Sequence, residues 1–318
     1  MHDEYSFSPE EVTIENLDEL SKRECAASEA RMYELADIAD AAAEFLLPLL
    51  ADEIGAPELL SLIAEGLAFG SYPSYPGKAA FSERAADDVR AMLSLMDRAR
   101  LTELLLDRLK AGGHPLTEAD FLGESEGGRI YGYVKNQFSD EAFDVLTESV
   151  PDAGVRYYKS FSDCAAALAR DEVDHILLPL EERGGVRLPT VSELIYRYDF
   201  RINSVTPVFG YAADADIKYA EISRRFIPAS RMEGDDRYLE LRIPAQDGAA
   251  LSEAISVATA FGMSAYRVNT HTYDIEGERS SYFSLVLREG RDDFAPFLTY
   301  LALFAADFVP VGVYKNLE

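Results

Sequence analysis

The side chains that could do chemistry in this sequence are mainly charged and few. Arg224 and Arg225 are adjacent, and their guanidinium groups could hold a carboxylate through paired N–H donors. In a chain with 57 Asp and Glu against 30 Lys and Arg, they could equally pair with surface carboxylates, and both interpretations stay open. Ser139 is predicted to cap a helix rather than to act as a catalyst. Glu181 and Glu182 follow an apolar run and are predicted to lie in a solvated loop.

Motifs for metal or cofactor binding are absent from the sequence. The four histidines are His2, His114, His175 and His271, and their spacing does not suit a metal. No phosphate-binding loop, dinucleotide-binding glycine pattern, zinc-protease helix or serine-hydrolase elbow occurs. We therefore expect no metal and no cofactor.

The net charge of −27 argues against binding to nucleic acid or to an anionic membrane, because phosphate attraction needs clustered Lys and Arg. No stretch approaches the roughly 18 consecutive apolar residues of a membrane span. The acidic N-terminus lacks the features of a signal peptide, and two cysteines make no disulfide framework. We expect a cytoplasmic protein in which Cys25 and Cys164 are inert core residues.

Three segments with different periodicity follow one another. Residues 1–122 are predicted to be a helical region, with helices from Ile14 to Leu47, from Pro57 to Ala68 and from Ser82 to Ala111, the last ending at Gly112-Gly113. A turn-rich stretch over 70–77 separates the last two. We expect a helical bundle, which a second chain could complete.

Residues 127–235 alternate strand and helix, which predicts an α/β lobe. The predicted strands are RIYGYV (129–134), VRYYKSF (155–161), HILLPL (175–180) and INSVTPVFG (202–210). The predicted helices start at Ser139, at Ser162 and at Thr190. HILLPL is continuously apolar, as is typical of a strand buried on both faces of a parallel sheet.

Residues 236–318 repeat the order strand, helix, strand, strand, helix, strand. The predicted ranges are 238–244, 248–261, 264–272, 281–289, 292–306 and 308–315. This order predicts a ferredoxin-like βαββαβ unit, with two helices on one face of an antiparallel sheet.

The second and third segments resemble the prephenate dehydratase family with its C-terminal ACT domain. Six runs of residues carry the resemblance, in the family's order. In the α/β lobe, Asn136–Ala142 is similar to the family's Gly-Thr-Phe-Ser-x-x-Ala, and Tyr158–Asp163 is similar to its strand-to-helix step. Asp174–Glu181 is similar to Asp-Tyr-Gly-Val-Val-Pro-Ile-Glu, and Ser223–Phe226 is similar to Thr-Arg-Phe. In the last segment, Gly248-Ala249 is similar to Gly-Ala-Leu, and Arg267–Thr272 is similar to Lys-x-Glu-Ser-Arg-Pro.

The resemblance implies a function and a set of site residues. The family's reaction removes carbon dioxide and the ring hydroxyl from prephenate to give phenylpyruvate for phenylalanine synthesis. The catalytic candidates it implies are Ser139, Glu181, Arg225 and Phe226. The ligand-binding candidates of the ACT domain are Gly248, Ala249, Asn269 and His271. It also implies a homo-oligomer paired through the ACT domain and a small-molecule ligand, an aromatic amino acid or prephenate.

The sequence departs from the family where the reaction would need it most. Arg224 replaces the Thr of Thr-Arg-Phe, so the hydroxyl that could protonate the leaving group is missing. Glu182 and Arg183 replace an Asn and a Ser. Only residues 209–223 connect the last predicted strand to the Arg-Arg-Phe run, whereas one βαβ unit needs about 30 residues, so the family's second lobe has no room.

Three functions remain open. The first is a protein that has lost dehydratase activity and senses a ligand through a dimeric ACT domain. The second is a divergent but active prephenate dehydratase that uses Arg225. The third is a dimerisation module without a ligand.

The N-terminal helices occupy the place of the chorismate mutase that some dehydratases carry. The run Arg31–Leu35 resembles that family's Arg-x-x-Leu helix. The other cations expected on that helix fall on Ile14 and Ala42. A chorismate mutase-like bundle is therefore expected, without mutase activity.

Overall fold

The structure is a computed structural model that describes residues 14–50, 59–60, 93–122, 128–182, 185–209, 217–227, 237–245, 248–275, 278–290, 293–305 and 307–315. Its helices are α1 (Ile14–Leu50), α2 (Leu95–Ala111), α3 (Glu118–Leu122), α4 (Gln137–Leu146), α5 (Phe161–Ala169), α6 (Pro189–Arg197), α7 (Gly248–Ala260) and α8 (Ala295–Phe304). Its strands are β1 (Ile130–Val134), β2 (Gly154–Tyr158), β3 (His175–Glu182), β4 (Val186–Arg187), β5 (Arg201–Val208), β6 (Ile217–Ser223), β7 (Arg237–Pro244), β8 (Ser264–Ile275), β9 (Glu278–Arg288) and β10 (Val309–Lys315). Within these ranges, no helix combines the length and apolar character needed to cross a membrane.

The strands form one mixed sheet in the order β2-β1-β3-β6-β5-β10-β7-β9-β8, with β4 paired to β3. The α/β prediction is confirmed. Strand β3 contains HILLPL and runs parallel to β1 but antiparallel to β6, so the predicted all-parallel surroundings are wrong. The sequence reasoning missed β6, which ends at Ser223; Arg224 and Arg225 follow it in a bend rather than in a strand.

The C-terminal half has the predicted βαββαβ order, and its strands lie in the order β10-β7-β9-β8. Leu239, Leu241 and Leu285 point from one face of this half into the apolar cluster that also contains Phe297 and Leu301 of α8. Strand β10 runs parallel to β5. This pairing joins the two halves into a continuous sheet.

The N-terminal helices bury their apolar face within the same chain. Leu46 of α1 and Leu105 of α2 belong to the apolar cluster that includes α7, α8 and strands β7 and β9. The helices of the C-terminal half therefore cover the apolar face that a second chain could have covered. The boundaries near residues 122 and 235 remain predictions.

Three predicted helix starts are corrected by their caps. Helix α2 begins after Ser94, whose hydroxyl accepts a hydrogen bond from Asp97 N at 3.2 Å, while the Asp97 carboxylate accepts one from Ser94 N. The predicted continuous helix from Ser82 to Ala111 is therefore wrong at residues 93–94, which are not helical. Residues 82–92 lie outside the described residues. Helix α4 is capped by Asn136 and α5 by Ser160. In each case a polar side chain just before the helix reaches its third N–H and fixes its start. Apart from Leu59 and Leu60, the predicted helix over 57–68 and the turns over 70–77 also lie outside the described residues.

Replacing Leu105 with Ala should destabilise the whole fold, because this side chain is 1% exposed between the N-terminal helices and the C-terminal half. A buried Leu→Ala change typically costs about 2–5 kcal/mol. Urea unfolding should show a lower midpoint and one transition. Met96→Ala, on the same helix but 64% exposed, is the matched control. Two separated transitions would contradict a shared core.

Candidate functional site

A buried cluster of two arginines and two glutamates lies where the two halves of the sheet meet. Arg187 of β4 hydrogen-bonds the carboxylate of Glu240 on β7, and its Nε is 3.7 Å from Glu181 Oε1. Arg267 of β8 donates to the same Glu181 oxygen. Arg187, Glu181 and Glu240 are all less than a tenth exposed. The first half contributes Arg187 and Glu181, and the second half contributes Glu240 and Arg267.

Hydrogen bonds engage both carboxylate oxygens of Glu240. Ser284 donates to Oε1 at 2.8 Å, and the Tyr314 hydroxyl donates to Oε2 at 3.1 Å. Burial acts to lower the pKa of Arg187, but the attraction of Glu240 and Glu181 outweighs it and the pKa is raised. Burial, reinforced by Glu240, raises the pKa of Tyr314 well above its ordinary value. Arg187 therefore stays charged and Tyr314 keeps its proton.

Two irregular positions in the sheet turn consecutive side chains towards the same space. The register of β3 against β6 shifts between Pro179 and Glu181, and that of β8 against β9 shifts between Ala265 and Arg267. In a regular strand, neighbouring side chains point to opposite faces, and a bulge can redirect one of them. As a result, Leu180 lines one groove together with Glu181, and Tyr266 lines it together with Arg267.

This groove is partly open to solvent. Its lining combines three tyrosines, two cations, one carboxylate and three aliphatic residues: Leu180, Glu181, Val205, Lys218, Tyr238, Tyr266, Arg267, Val286 and Tyr314. Small-molecule sites are typically lined by aromatic and apolar groups with a few polar groups that fix orientation. The groove has that composition and is the candidate functional site.

Stacked aromatic rings fix the β8–β9 hairpin against α6. Tyr196 stacks on Tyr273 at 4.7 Å and on Tyr282 at 5.3 Å between ring centroids. His271, a predicted ligand-binding residue, packs against Tyr282 at 5.2 Å. Burial and the nearby Arg187 lower its pKa, and Glu240 partly offsets them. His271 is thus part of a packed aromatic layer.

The other predicted ligand-binding residues lie near this layer or at a helix start. Asn269 is half-buried on β8, and its Nδ2 has no hydrogen-bond partner among the described residues. Helix α7 begins at Gly248, as predicted. Gly248 has no side chain, and that of Ala249 lies outside the described residues, so the predicted role of both stays a prediction.

The predicted catalytic residues are not brought together. Glu181 faces Lys218 at one end of β6, while Arg225 lies two residues beyond the other end. Lys218 and Ser223 are five residues apart along this strand, or about 17 Å at 3.3 Å per residue. Phe226 is buried, with the guanidinium of Arg201 5.5 Å above its ring.

Ser139 has a structural role that differs from the predicted one. It is the third residue of α4; its hydroxyl accepts from Asn136 N at 2.9 Å and donates to Val134 O at 2.8 Å. The prediction that Ser139 is itself the N-cap is wrong, because Asn136 takes that position at the end of β1. With its hydroxyl engaged and the residue only 1% exposed, Ser139 is not available to a substrate.

Three further predictions about single residues have definite outcomes. Glu181 does not lie in a solvated loop but in the buried ion cluster, because its strand continues to Glu182. Arg224 pairs with the exposed Asp171 at 2.5 Å, the surface-carboxylate alternative, whereas Arg225 is exposed. Cys164 is buried, which raises the pKa of its thiol to about 12, but Cys25 is exposed on α1 and is not a core residue.

A second buried polar cluster is remote from the groove. The Tyr131 hydroxyl donates to Glu221 Oε1 at 3.0 Å, and His175 Nδ1 lies 3.2 Å from the same oxygen. His175 also stacks on Tyr131. All three side chains are buried and lie away from the groove lining, so the cluster links β1, β3 and β6. No group of three or more potential metal ligands occurs in the described part of the chain.

Sequence reasoning missed the roles of Arg187, Glu240, Tyr238 and Tyr314. One signal was available for Glu240, which lies between Leu239 and Leu241 in a strand pattern. A carboxylate at that position must lie on the face opposite two core leucines. Its burial depends on a cation from the β3–β4 hairpin, which no local pattern reveals.

Comparison with known proteins gives weak similarities. No known family profile matches the chain, and no curated protein matches it. A prephenate dehydratase from Streptococcus mutans is 14% identical with a TM-score of 0.47, over 60% of this chain and 100% of that chain. A structure described as GqqA, a novel type of quorum quenching acylase, is 22% identical with a TM-score of 0.43, over 59% and 96%. A prephenate dehydratase in complex with L-Phe from Arthrobacter aurescens is 14% identical with a TM-score of 0.45, over 58% and 90%. Similarities at this level assign no activity.

A double-mutant cycle should reveal the buried ion pair. Arg187→Met leaves Glu240 charged, buried and without its cation, and such a loss typically costs about 3–5 kcal/mol. Adding Glu240→Gln removes the stranded charge and should recover part of that loss. Urea unfolding of both single variants and the double variant measures the coupling. Strictly additive losses would contradict a direct charge interaction.

Proposed function

We propose that this chain is a prephenate dehydratase-like protein of aromatic amino-acid metabolism that binds a small-molecule ligand and is impaired as a dehydratase. The order of the six sequence motifs supports the family relationship. One structural observation carries the loss of catalysis. Glu181 is the only one of the four catalytic candidates that lines the groove, and two arginines already engage its carboxylate.

The chemistry of dehydration explains why this arrangement favours binding. A departing hydroxyl needs a group that can give it a proton. The Ser139 hydroxyl is held by the start of α4, and Arg225 lies at the far end of β6. Tyr314 lines the groove, but its raised pKa and its bond to Glu240 make it a poor proton donor. The catalytic candidates taken from the resemblance therefore supply no acid to the groove.

An active dehydratase is the second candidate. The presence of both Lys218 and Arg267 in the groove lining favours it, since prephenate carries two carboxylates and guanidinium groups bind carboxylates well. Glu181 and Glu240 act against it, because like charges about 4 Å apart repel by roughly 1 kcal/mol even in water.

Purified full-length protein should bind without turnover. We expect a raised Tm with at least one of the aromatic amino acids, prephenate or chorismate, because a ligand that binds only the folded state stabilises it. We expect no phenylpyruvate above the spontaneous rate. Enzymatic phenylpyruvate formation that Arg225→Ala abolishes and Arg224→Ala retains would instead establish the dehydratase. The absence of any thermal shift would contradict ligand sensing.

We also propose that the βαββαβ half is an ACT-type domain through which two copies pair. Strand β8 supports this, because it ends the sheet and is 12 residues long. It carries no Lys or Pro, the residues that commonly protect an edge from pairing. Tyr266 and Val268 on this strand are 50% and 41% exposed.

Charges placed on this edge should separate the copies. We expect the wild type to elute as a dimer and Val268→Lys/Thr270→Lys to shift towards the monomer, because like charges would face each other across the interface. Light scattering after size-exclusion chromatography gives the mass. Tyr157→Lys, on the opposite edge strand β2, is the control. A dimer that survives the double change places the interface elsewhere.

A further inference from the structure

The two halves of the sheet curl towards each other. Strands β3 and β8 are six steps apart in the strand order, so a flat sheet would separate them by about 29 Å at the usual strand spacing. Arg267 of β8 nevertheless bonds to Glu181 of β3. Each of the seven strands from β3 to β8 in that order contributes at least one residue to the groove lining. The groove is therefore the inner side of an incompletely closed barrel, in which β3 and β8 face each other across a gap.

Side chains, and not a backbone ladder, close this gap. Among the described strands, β8 pairs with β9, β4 pairs with β3, and no ladder joins β3 or β4 to β8. The contacts across the gap are the Arg267–Glu181 and Arg187–Glu240 ion pairs. Arg267 also donates to the carbonyl oxygen of Gly185 at 3.3 Å. We call this contact of the β3–β4 hairpin with β7 and β8 the seam. Opening the seam would break ion pairs and none of the described sheet ladders.

The closed seam leaves polar groups without hydrogen bonds. Glu181 Oε2, Arg187 Nε and Asn269 Nδ2 are buried and have no hydrogen-bond partner among the described residues. They lie on β3, β4 and β8, the strands that form the seam. Burial of the two ion pairs also removes their hydration, a cost that mutual attraction often does not fully repay. Because opening would return all of these groups to water, the closed and open states can lie close in free energy.

The two strands that join the halves are irregular where they meet. Gly312 of β10 lies opposite Ile202 of β5. The register of β10 against β7 shifts between Pro310 and Gly312, and that of β5 against β6 shifts between Ile202 and Ser204. A Cβ at position 312 would lie 3.0 Å from the Cβ of Ile202, so glycine permits this close approach. Bulges bend a strand and increase its twist, and the bend at this pair carries the first half over the inner face of the second.

We propose that the seam opens and closes by a swing of the two halves about the β5–β10 pair, and that the two ion pairs that cross it hold it closed. Opening would expose the inner face of the barrel, which carries the rings of Tyr238, Tyr266 and Tyr314. The N-terminal helices pack on the opposite face of the second half and would move with it. The movement needs no ligand, so its test is independent of the proposed sensing function.

Modification of a buried thiol in the full-length protein tests whether the seam opens. In a Cys25→Ser background, Val286→Cys places a thiol on the inner face at a position that is 3% exposed, and Cys164, buried in the first half, is the internal reference. A bulky maleimide should modify position 286 at least tenfold faster than Cys164, because opening of the seam exposes only the former. If Val286→Cys does not fold, Ser284→Cys on the same face of β9 replaces it.

A second substitution tests whether the ion pairs hold the seam closed. Arg267→Met removes one pair and should speed the modification of position 286 at least fivefold more, with the rate at Cys164 unchanged. Arg224→Met, which removes an exposed pair with Asp171, is the matched control and should change neither rate. Equal rates at position 286 and Cys164, or a rate at position 286 that Arg267→Met leaves unchanged, overturn the proposal.

Spin labels measure the direction of the movement. In the Cys25→Ser background, Val186→Cys on β4 and Val268→Cys on β8 place labels at exposed positions on the two sides of the seam. Double electron–electron resonance, in samples diluted with unlabelled protein, should give a longer distance when Arg267→Met is added. The pair Val268→Cys and Thr259→Cys lies within the second half and should keep its distance, which shows that the variant remains folded. An unchanged distance between positions 186 and 268 overturns the swing about β5–β10.

Discussion

The contact between Arg187 and Glu240 constrains the rest of the structure. Each is a charged group buried in the protein, and either one alone would be far more costly than the pair. Arg187 lies on a two-residue strand of the first half and Glu240 on β7 of the second, so both charges are compensated only when the halves are docked. The backbones of the two halves pair between β10 and β5, where Gly312 lies opposite Ile202. The ion pair adds a specific side-chain contact to that junction.

The same cluster explains why the groove lies at the junction of the halves. Glu181 is opposite Arg187 in the β3–β4 ladder, and the bulge before it directs its carboxylate towards Arg267 of the other half. A second bulge places Tyr266 beside Arg267. Cations, carboxylate and rings therefore converge from both halves of the sheet. A ligand held there would touch both halves and could change how firmly they dock, which makes a binding role physically reasonable.

The sequence predicted the features that depend on neighbouring residues. The βαββαβ order and the starts of α7 and β8 follow from apolar periodicity over short ranges. The helix starts near Ser139 and Ser162 were misplaced by two or three residues, because several polar side chains compete for the cap. Glu181 was assigned to a solvated loop because its burial depends on Arg187 and Arg267, and the latter is 86 residues away. Register shifts leave no signature in residue type, so the groove could not have been predicted.

Binding and turnover place opposite demands on this cluster. A site that breaks a carbon–oxygen bond needs at least one group whose proton can move. In the groove, burial and Glu240 hold the proton of Tyr314 in place, and Arg267 keeps its charge because its pKa is raised by Glu181 against the effect of burial. The charges that stabilise the junction between the halves thus also fix the proton of Tyr314 and the charge of Arg267.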